Sequence, residues 1–274
     1  EFDDEYGTDE DNGTAKHGAK DIGVIAMDPD TAEVLGMSTS YSYDPNEPMD
    51  TDALRNMKVT VTESTEAATE DSSEEGSSED TTDATTEEPK DPEKITYDFS
   101  SMTDDEFKKT IDDLTSDQTY EALDAVWRNY CISDILEPGS TFKPFTIAGA
   151  IEDGVVKDGD TFYCKGYEIV ADGTDPIYCH NRTGDGTLTL KQALEQSCNA
   201  ALMQIAKSEG KETFSKYQDI FNFGSQTGID LSGEGSGLVY SEENLNPVEL
   251  ATSSFGQGIN VTMIQMAAAF CSLI

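Results

Sequence analysis

Positive charge is scarce in this sequence: 17 Lys and Arg stand against 56 Asp and Glu, a formal net charge of −39. Phosphate backbones are gripped by basic stripes, so nucleic acid is not an expected partner, and an anionic membrane surface would repel such a chain. Long apolar runs are also missing. None approaches the roughly 18 residues that cross a bilayer, and Glu1–Glu10 is acidic, unlike the basic-then-apolar start of a signal peptide. The first residue is not Met and the last apolar stretch is still running at Ile274, so a piece of a longer protein is expected. Histidine is limited to His17 and His180. The five cysteines, Cys131, Cys164, Cys179, Cys198 and Cys271, include no C-x-x-C pair, which removes the usual metal spacing. An odd, sparse set is not the disulfide framework of a small secreted domain, and buried or free thiols are the plain reading.

What remains is enough for one large domain or two modest ones. Residues 1–20 are polar and read as a flexible N-terminal remnant. Asp21–Met27 and Ala32–Met37 flank Asp28-Pro29-Asp30 as a hairpin. Thr62–Glu88 holds 11 acidic residues and 12 Ser or Thr with no base. It cannot bury enough apolar surface to offset its chain entropy, so a disordered insertion at about 59–95 is expected inside one domain spanning 21–274. Helical periodicity marks Asp104–Leu114, Thr119–Val126, Leu188–Gln196, Ala200–Glu209 and Thr213–Asn222. A strong helix is expected from Ser140 to Asp153, closed by Gly154. Thr161–Cys179 alternates like a hairpin with Ala171-Asp172-Gly173 at its tip, and Thr262 is placed to cap a final helix to Leu273. No internal repeat is present.

Two short patterns carry chemistry. Ser140-Thr141-Phe142-Lys143 places a hydroxyl and an amine three residues apart, on one face of a helix's first turn. A serine hydroxyl is a weak nucleophile until a base takes its proton, and a desolvated lysine has a pKa low enough to serve. The helix N-terminus adds partial positive charge and free N–H groups that favour an oxyanion. Taken alone, the same residues would be an N-capping serine beside a solvated lysine. Ser197-Cys198-Asn199 sits on a turn between two helices, with Ser197 able to relay a proton and Asn199 able to hold an amide; alone it would be a helix-breaking turn.

Context changes that balance. Glu137–Thr146 (EPGSTFKPFT) resembles, nearly residue for residue, the active-site motif of class B penicillin-binding proteins, and Ser197-Cys198-Asn199 fits the family's second motif, S-x-N. Asp21–Met37, Tyr41–Pro48, Thr227–Glu234 and Ser253–Gln265 resemble further family segments, so the likeness runs from Asp21 to Ile274 apart from the acidic tract. It implies an α/β (α+β) serine acyltransferase fold of the β-lactamase/transpeptidase type, an antiparallel sheet flanked by helices plus an all-helical lobe. It implies a D,D-transpeptidase in which Ser140 is the nucleophile, Lys143 the general base, Ser197 a proton relay and Asn199 the ligand of the substrate amide. The implied substrate is the D-Ala–D-Ala end of a peptidoglycan stem peptide, with β-lactams as mimics and a glycosyltransferase as companion. The setting would be the outer face of a bacterial cell membrane, reached through an N-terminal anchor. The chemistry calls for no metal or organic cofactor. The family's third motif, Lys-Thr/Ser-Gly, has no match here and is expected beyond Ile274, so the 274-residue chain alone is expected to be inactive. Phe162–Gly166 with Cys179 resembles a hairpin with paired cysteines in some Gram-positive members, which implies a Cys164–Cys179 disulfide; two free thiols are the alternative. A serine β-lactamase, a β-lactam sensor or an inactive wall-binding scaffold would share the first two motifs.

Overall fold

A computed structural model describes residues 22–63 and 93–274. The expected flexible remnant at 1–20 and most of the acidic insertion lie outside the described residues. The chain divides into two compact units, Tyr41–Arg128 and the combination of Glu1–Ser40 with Asn129–Ile274.

In the Tyr41–Arg128 unit, β3 (Lys58–Thr62) pairs antiparallel with β4 (Lys94–Asp98). Val59 and Val61 point inward and Lys58 and Thr60 outward, the period-two alternation of a half-buried strand. This corrects the limits expected for the insertion, because residues 59–62 and 94–95 belong to paired strands. Acidic composition masks the signal of the two valines. Helix α1 (Asp104–Asp113) is closed at its start by a capping box between Thr103 and Glu106, and α2 (Ser116–Trp127) by one between Thr115 and Gln118. From α2, Glu121 accepts from the Thr62 N–H at 2.7 Å and Gln118 Nε2 donates to the Thr62 carbonyl at 3.0 Å. The helix thus fixes the strand where the acidic tract leaves it. Leu54, Val61, Phe99, Phe107 and Leu123 form this unit's core.

The second unit opens with the expected hairpin, β1 (Gly23–Met27) against β2 (Val34–Thr39), with a bulge between Ala26 and Met27. A short helix α3 (Tyr130–Ser133) leads to β5 (Ile135–Leu136), which pairs with β10 (Val261–Thr262). The strands expected from Thr161 to Cys179 are nested and do not form one hairpin: β6 (Thr161–Cys164) pairs with β9 (Gly186–Thr189), and β7 (Tyr167–Glu168) with β8 (Ile177–Tyr178). Gly166 breaks the alternation with a positive φ of 94°, so the chain turns before it reaches the expected tip. Every pairing among the described strands is antiparallel, in five two-stranded pieces and not in one continuous sheet.

Helices carry most of the core. Helix α4 (Lys143–Glu152) and α5 (Leu190–Glu195) are followed by α6 (Asn199–Glu209), in which Ala200, Leu202, Ile205 and Ala206 are fully buried. With its apolar residues buried and only Lys207 and Ser208 exposed, α6 packs against α4 and against α8 (Pro247–Ser253). Helix α7 (Lys211–Ile220) stops near Gly224 and α9 (Met263–Cys271) begins at Thr262, whose hydroxyl accepts from the Gln265 N–H in a capping box. The short helix α8 is too brief for a clear period and is not visible in the sequence.

The loop before α4 is pinned by backbone. Gly139 donates to the Gly256 carbonyl at 2.9 Å, and a Cβ on Gly256, whose φ is +81°, would sit 2.1 Å from the Gly139 carbonyl oxygen. Gly256→Ala is therefore expected to lower stability by at least about 1–2 kcal/mol. Gly36→Ala, with open space around its Cβ, is expected to be near neutral. Thermal unfolding of the two variants side by side checks this; equal melting temperatures would show that the backbone contact does not hold the loop.

Candidate active site

Ser140 and Lys143 lie where a 3₁₀ turn, Gly139–Phe142, runs into α4. The expected helix thus begins as 3₁₀, for a local reason. Pro144 has no N–H, so the Ser140 carbonyl cannot accept from position i+4 and takes the Lys143 N–H instead. In a 3₁₀ turn residues i and i+3 eclipse, so Ser140 and Lys143 are stacked on one edge. Phe142 and Phe145, on either side of Lys143, are both 2% exposed and pack on Phe223 at ring-centre distances of 4.9 and 5.1 Å. Such pairs add about 0.5–1.5 kcal/mol each beyond area burial. Thr146 Oγ1 donates to the Ser254 carbonyl at 2.9 Å and holds the next turn.

The other half of the site is the turn between α5 and α6. Ser197 and Cys198 donate their N–H groups back to Leu194 and Ala193 at 3.0 and 2.9 Å. Ser197 has a φ of +50°, a left-handed conformation uncommon for a non-glycine residue and concentrated at functional sites. Cys198 caps α6, its Sγ accepting from the Ala201 N–H at 3.4 Å, and Asn199 opens the helix.

Lys143 joins the two halves. It is 1% exposed, and its amine donates to the Ser197 carbonyl at 2.6 Å, to Ser197 Oγ at 2.7 Å and to Asn199 Oδ1 at 2.8 Å. An ammonium has three N–H donors, and each has an acceptor from the same turn. Ser197 Oγ in turn donates to Ser140 Oγ at 2.9 Å. All four residues singled out in the sequence therefore meet, with one change to the expected geometry: the lysine amine connects to Ser140 through the Ser197 hydroxyl. Burial lowers the Lys143 pKa to about 8, against a smaller opposing pull from Cys179 and Cys198. Ser140 alone of the four is exposed.

Three thiols, Cys164, Cys179 and Cys198, lie beside this site. Cys164 and Cys179, implied as a disulfide pair, are both free, and the Cys179 thiol lies 3.9 Å from Cys198 Sγ. Burial pushes the Cys198 thiol up to about 12. A cavity of about 280 Å³ elsewhere in this unit, lined by Val170, Met203, Lys207, Leu245 and Leu250, contains none of the four residues. No helix among the described residues is long and apolar enough to cross a membrane.

Comparison with known proteins gives this geometry a family. The chain is 43% identical over 148 residues to stage V sporulation protein D of Bacillus subtilis, a match covering 54% of this chain and 23% of that protein. It is 30% identical over 146 residues to the peptidoglycan D,D-transpeptidase FtsI of Escherichia coli K12, covering 53% of this chain and 24% of that one. The matched part thus spans about a quarter of the length of these relatives. The fold is similar to Pseudomonas aeruginosa PBP2, with a TM-score of 0.63 over 93% of this chain and 47% of that one at 22% identity. Since the model of the penicillin binding protein transpeptidase domain matches residues 81–274, which include every residue of the site just described, the chain belongs to that family.

Proposed function

We propose that the protein containing this domain is a serine D,D-transpeptidase that cross-links peptidoglycan stem peptides through an acyl-enzyme on Ser140. The observation carrying this reading is the hydrogen-bonded line from Lys143 Nζ through Ser197 Oγ to Ser140 Oγ, with the amine buried and Ser140 exposed.

Run in the deprotonating direction, neutral Lys143 takes a proton from Ser197, which takes one from Ser140. Ser140 Oγ attacks the carbonyl of the penultimate D-Ala. Collapse of the tetrahedral adduct breaks the peptide bond, and the terminal D-Ala leaves as its nitrogen receives the proton back along the same line. An amine of a second stem peptide then attacks the ester and releases Ser140. Because Asn199 Oδ1 is occupied by Lys143, the Asn199 Nδ2 group is left to donate to a substrate carbonyl. A β-lactam presents a similar carbonyl and leaves an ester on the same oxygen. Such a substrate places the enzyme on the outer face of the cell membrane, beside a glycosyltransferase that supplies the strands.

In the full-length protein, Ser140→Ala is expected to abolish labelling by fluorescent penicillin. Unchanged labelling would sink the assignment, and rapid release of the label with turnover would favour a β-lactamase. A wild-type protein that takes no label would support the scaffold reading.

Lys143→Ala is expected to slow acylation by about 10²–10⁴-fold, with no rescue by Lys143→Arg because a guanidinium does not give up its proton. The base is active when neutral, so acylation rises with pH and levels off above about 8. At pH 7 about a tenth of the lysine is neutral, against well under a thousandth for an ordinary lysine. A stopped-flow acylation profile flat through the neutral range would exclude Lys143 as the base.

A further inference from the structure

Glu209, the last residue of α6, and Gln218 of α7 are 7% and 3% exposed. Neither carboxyl oxygen of Glu209 and neither polar atom of the Gln218 amide has a hydrogen-bond partner among the described residues. Both side chains line a cavity of about 10 Å³ that Phe142, Phe145 and Thr146 close from the side of α4. We infer that Glu209 and Gln218 form a buried acid–amide site that takes one water molecule beneath α4, and that folding of this unit takes up the proton that keeps Glu209 a carboxylic acid.

Space and chemistry agree. A cavity of about 10–15 Å³ holds one water, which needs two to four polar partners. Gln218 offers two N–H donors and a carbonyl, and a protonated Glu209 offers one O–H donor and an acceptor. A water between them accepts from one side chain and donates to the other, so every orphaned group gains a partner. An ionised Glu209 could only accept, and its charge would stand among phenylalanine rings with no cation beside it. The backbone of α4 also lies directly on the carboxyl. A Cβ on Gly149 would sit 2.7 Å from the Tyr217 ring and 3.1 Å from Glu209 Oε1, so only glycine allows this approach.

The neighbouring charges do not favour ionisation. From the end of α4, Asp153 faces Glu209 as a second carboxylate. Lys216 and Tyr217 of α7 donate to Asp153 Oδ1 at 2.9 and 2.8 Å, so that ammonium is already paired. Glu152 of α4 and Glu212 and Asp219 of α7 are exposed. Lys143 is bound to the Ser197 turn and Lys211 to the Glu242 carbonyl. Helix α8 meets α6 on its Met203 side, through Leu250 and Ala251. Burial pushes the Glu209 carboxyl up to about 8, and the Asp153 charge adds to the shift. In an unfolded chain a glutamate ionises near about 4.3. Between those values the folded chain holds a proton that the unfolded chain has released. The stabilisation is therefore complete below about 4.3, falls as pH rises and levels off above about 8. Lys143 acts in a different window, because its pKa moves from 10.5 down to about 8.

The test uses the 274-residue chain and Glu209→Gln, which keeps the shape and hydrogen bonding without the titrating group. Urea unfolding gives the ratio of the wild-type folding equilibrium constant to that of the variant. This ratio is expected to fall about tenfold per pH unit between about pH 5 and 8 and then to flatten. Infrared spectra at neutral pH should show the carbonyl stretch of one un-ionised carboxyl group, missing in Glu209→Gln. Magnetic relaxation dispersion of water oxygen should count one long-lived water fewer when Glu209→Leu and Gln218→Leu are combined. If that double variant does not fold, the infrared band and a carboxyl-carbon NMR titration of the unsubstituted chain decide the question. Parallel stability profiles, a Glu209 carboxyl that titrates near about 4.3 in the folded chain, or an unchanged water count in a folded double variant would each overturn the proposal.

Discussion

The site depends on one buried amine. An ammonium removed from water must have its donors satisfied, or it loses its charge. Lys143 satisfies all three through a single turn 54 residues away, using one backbone carbonyl, one hydroxyl and one amide oxygen. Those contacts fix the distance between α4 and the start of α6, and so fix where Ser197 stands relative to Ser140. The same burial brings the amine's pKa down to about 8, within reach of neutral pH. The three contacts thus set the geometry of the line of hydroxyls, and the burial of the same amine sets its proton affinity. The surrounding phenylalanines serve that end. They pack on one another and on Phe223 and so fix the start of α4 that carries Lys143, while Ser140 stays at the turn's exposed edge.

How much of this the sequence shows depends on the range of the forces involved. Helix ends at Thr103 and Thr262 are closed by side chains three residues away, so local pattern finds them, whereas the cap at Thr115 lies four residues before the start expected at Thr119. The hairpin of β1 and β2 is equally local. The nested strands between Thr161 and Thr189 are not, because β6 finds its partner in β9 across a second hairpin, and alternation cannot say which strand pairs with which. The 3₁₀ start of α4 is legible in principle from Pro144, which removes the one N–H that an α-helical Ser140 carbonyl would need. The indirect route from Lys143 to Ser140 is not, because it depends on the left-handed backbone of Ser197, and nothing in a Ser-Cys-Asn tripeptide announces a φ of +50°.

The acidic tract shows composition and pairing at odds. Residues 59–62 and 94–95 border a segment that cannot build a core, yet they form strands because Val59 and Val61 reach an apolar cluster and α2 bonds to both backbone groups of Thr62. The ladder continues one step further, with Glu63 donating to the Glu93 carbonyl at 2.7 Å. Once the two ends are clamped in this way, the entropy of closing the connection grows only as the logarithm of its length, about 0.6 kcal/mol per doubling. A long polar tract is therefore compatible with the hairpin that carries it.

The middle residue of the S-x-N turn links the reacting groups to the thiol cluster behind them. Ser197 and Asn199 both turn toward Lys143, and the residue between them is turned the other way. That position does not face Lys143, but it can decide how firmly its neighbours are held there. Here it is Cys198, fully buried, bonded by the Ala201 N–H at the start of α6 and set against two further thiols. A hydroxyl that relays protons tolerates little displacement, since transfer requires heavy atoms within about 3.2 Å. Anchoring the turn from behind, through Cys198, restrains Ser197 without occupying the hydroxyl and amide groups that meet Lys143 and Ser140.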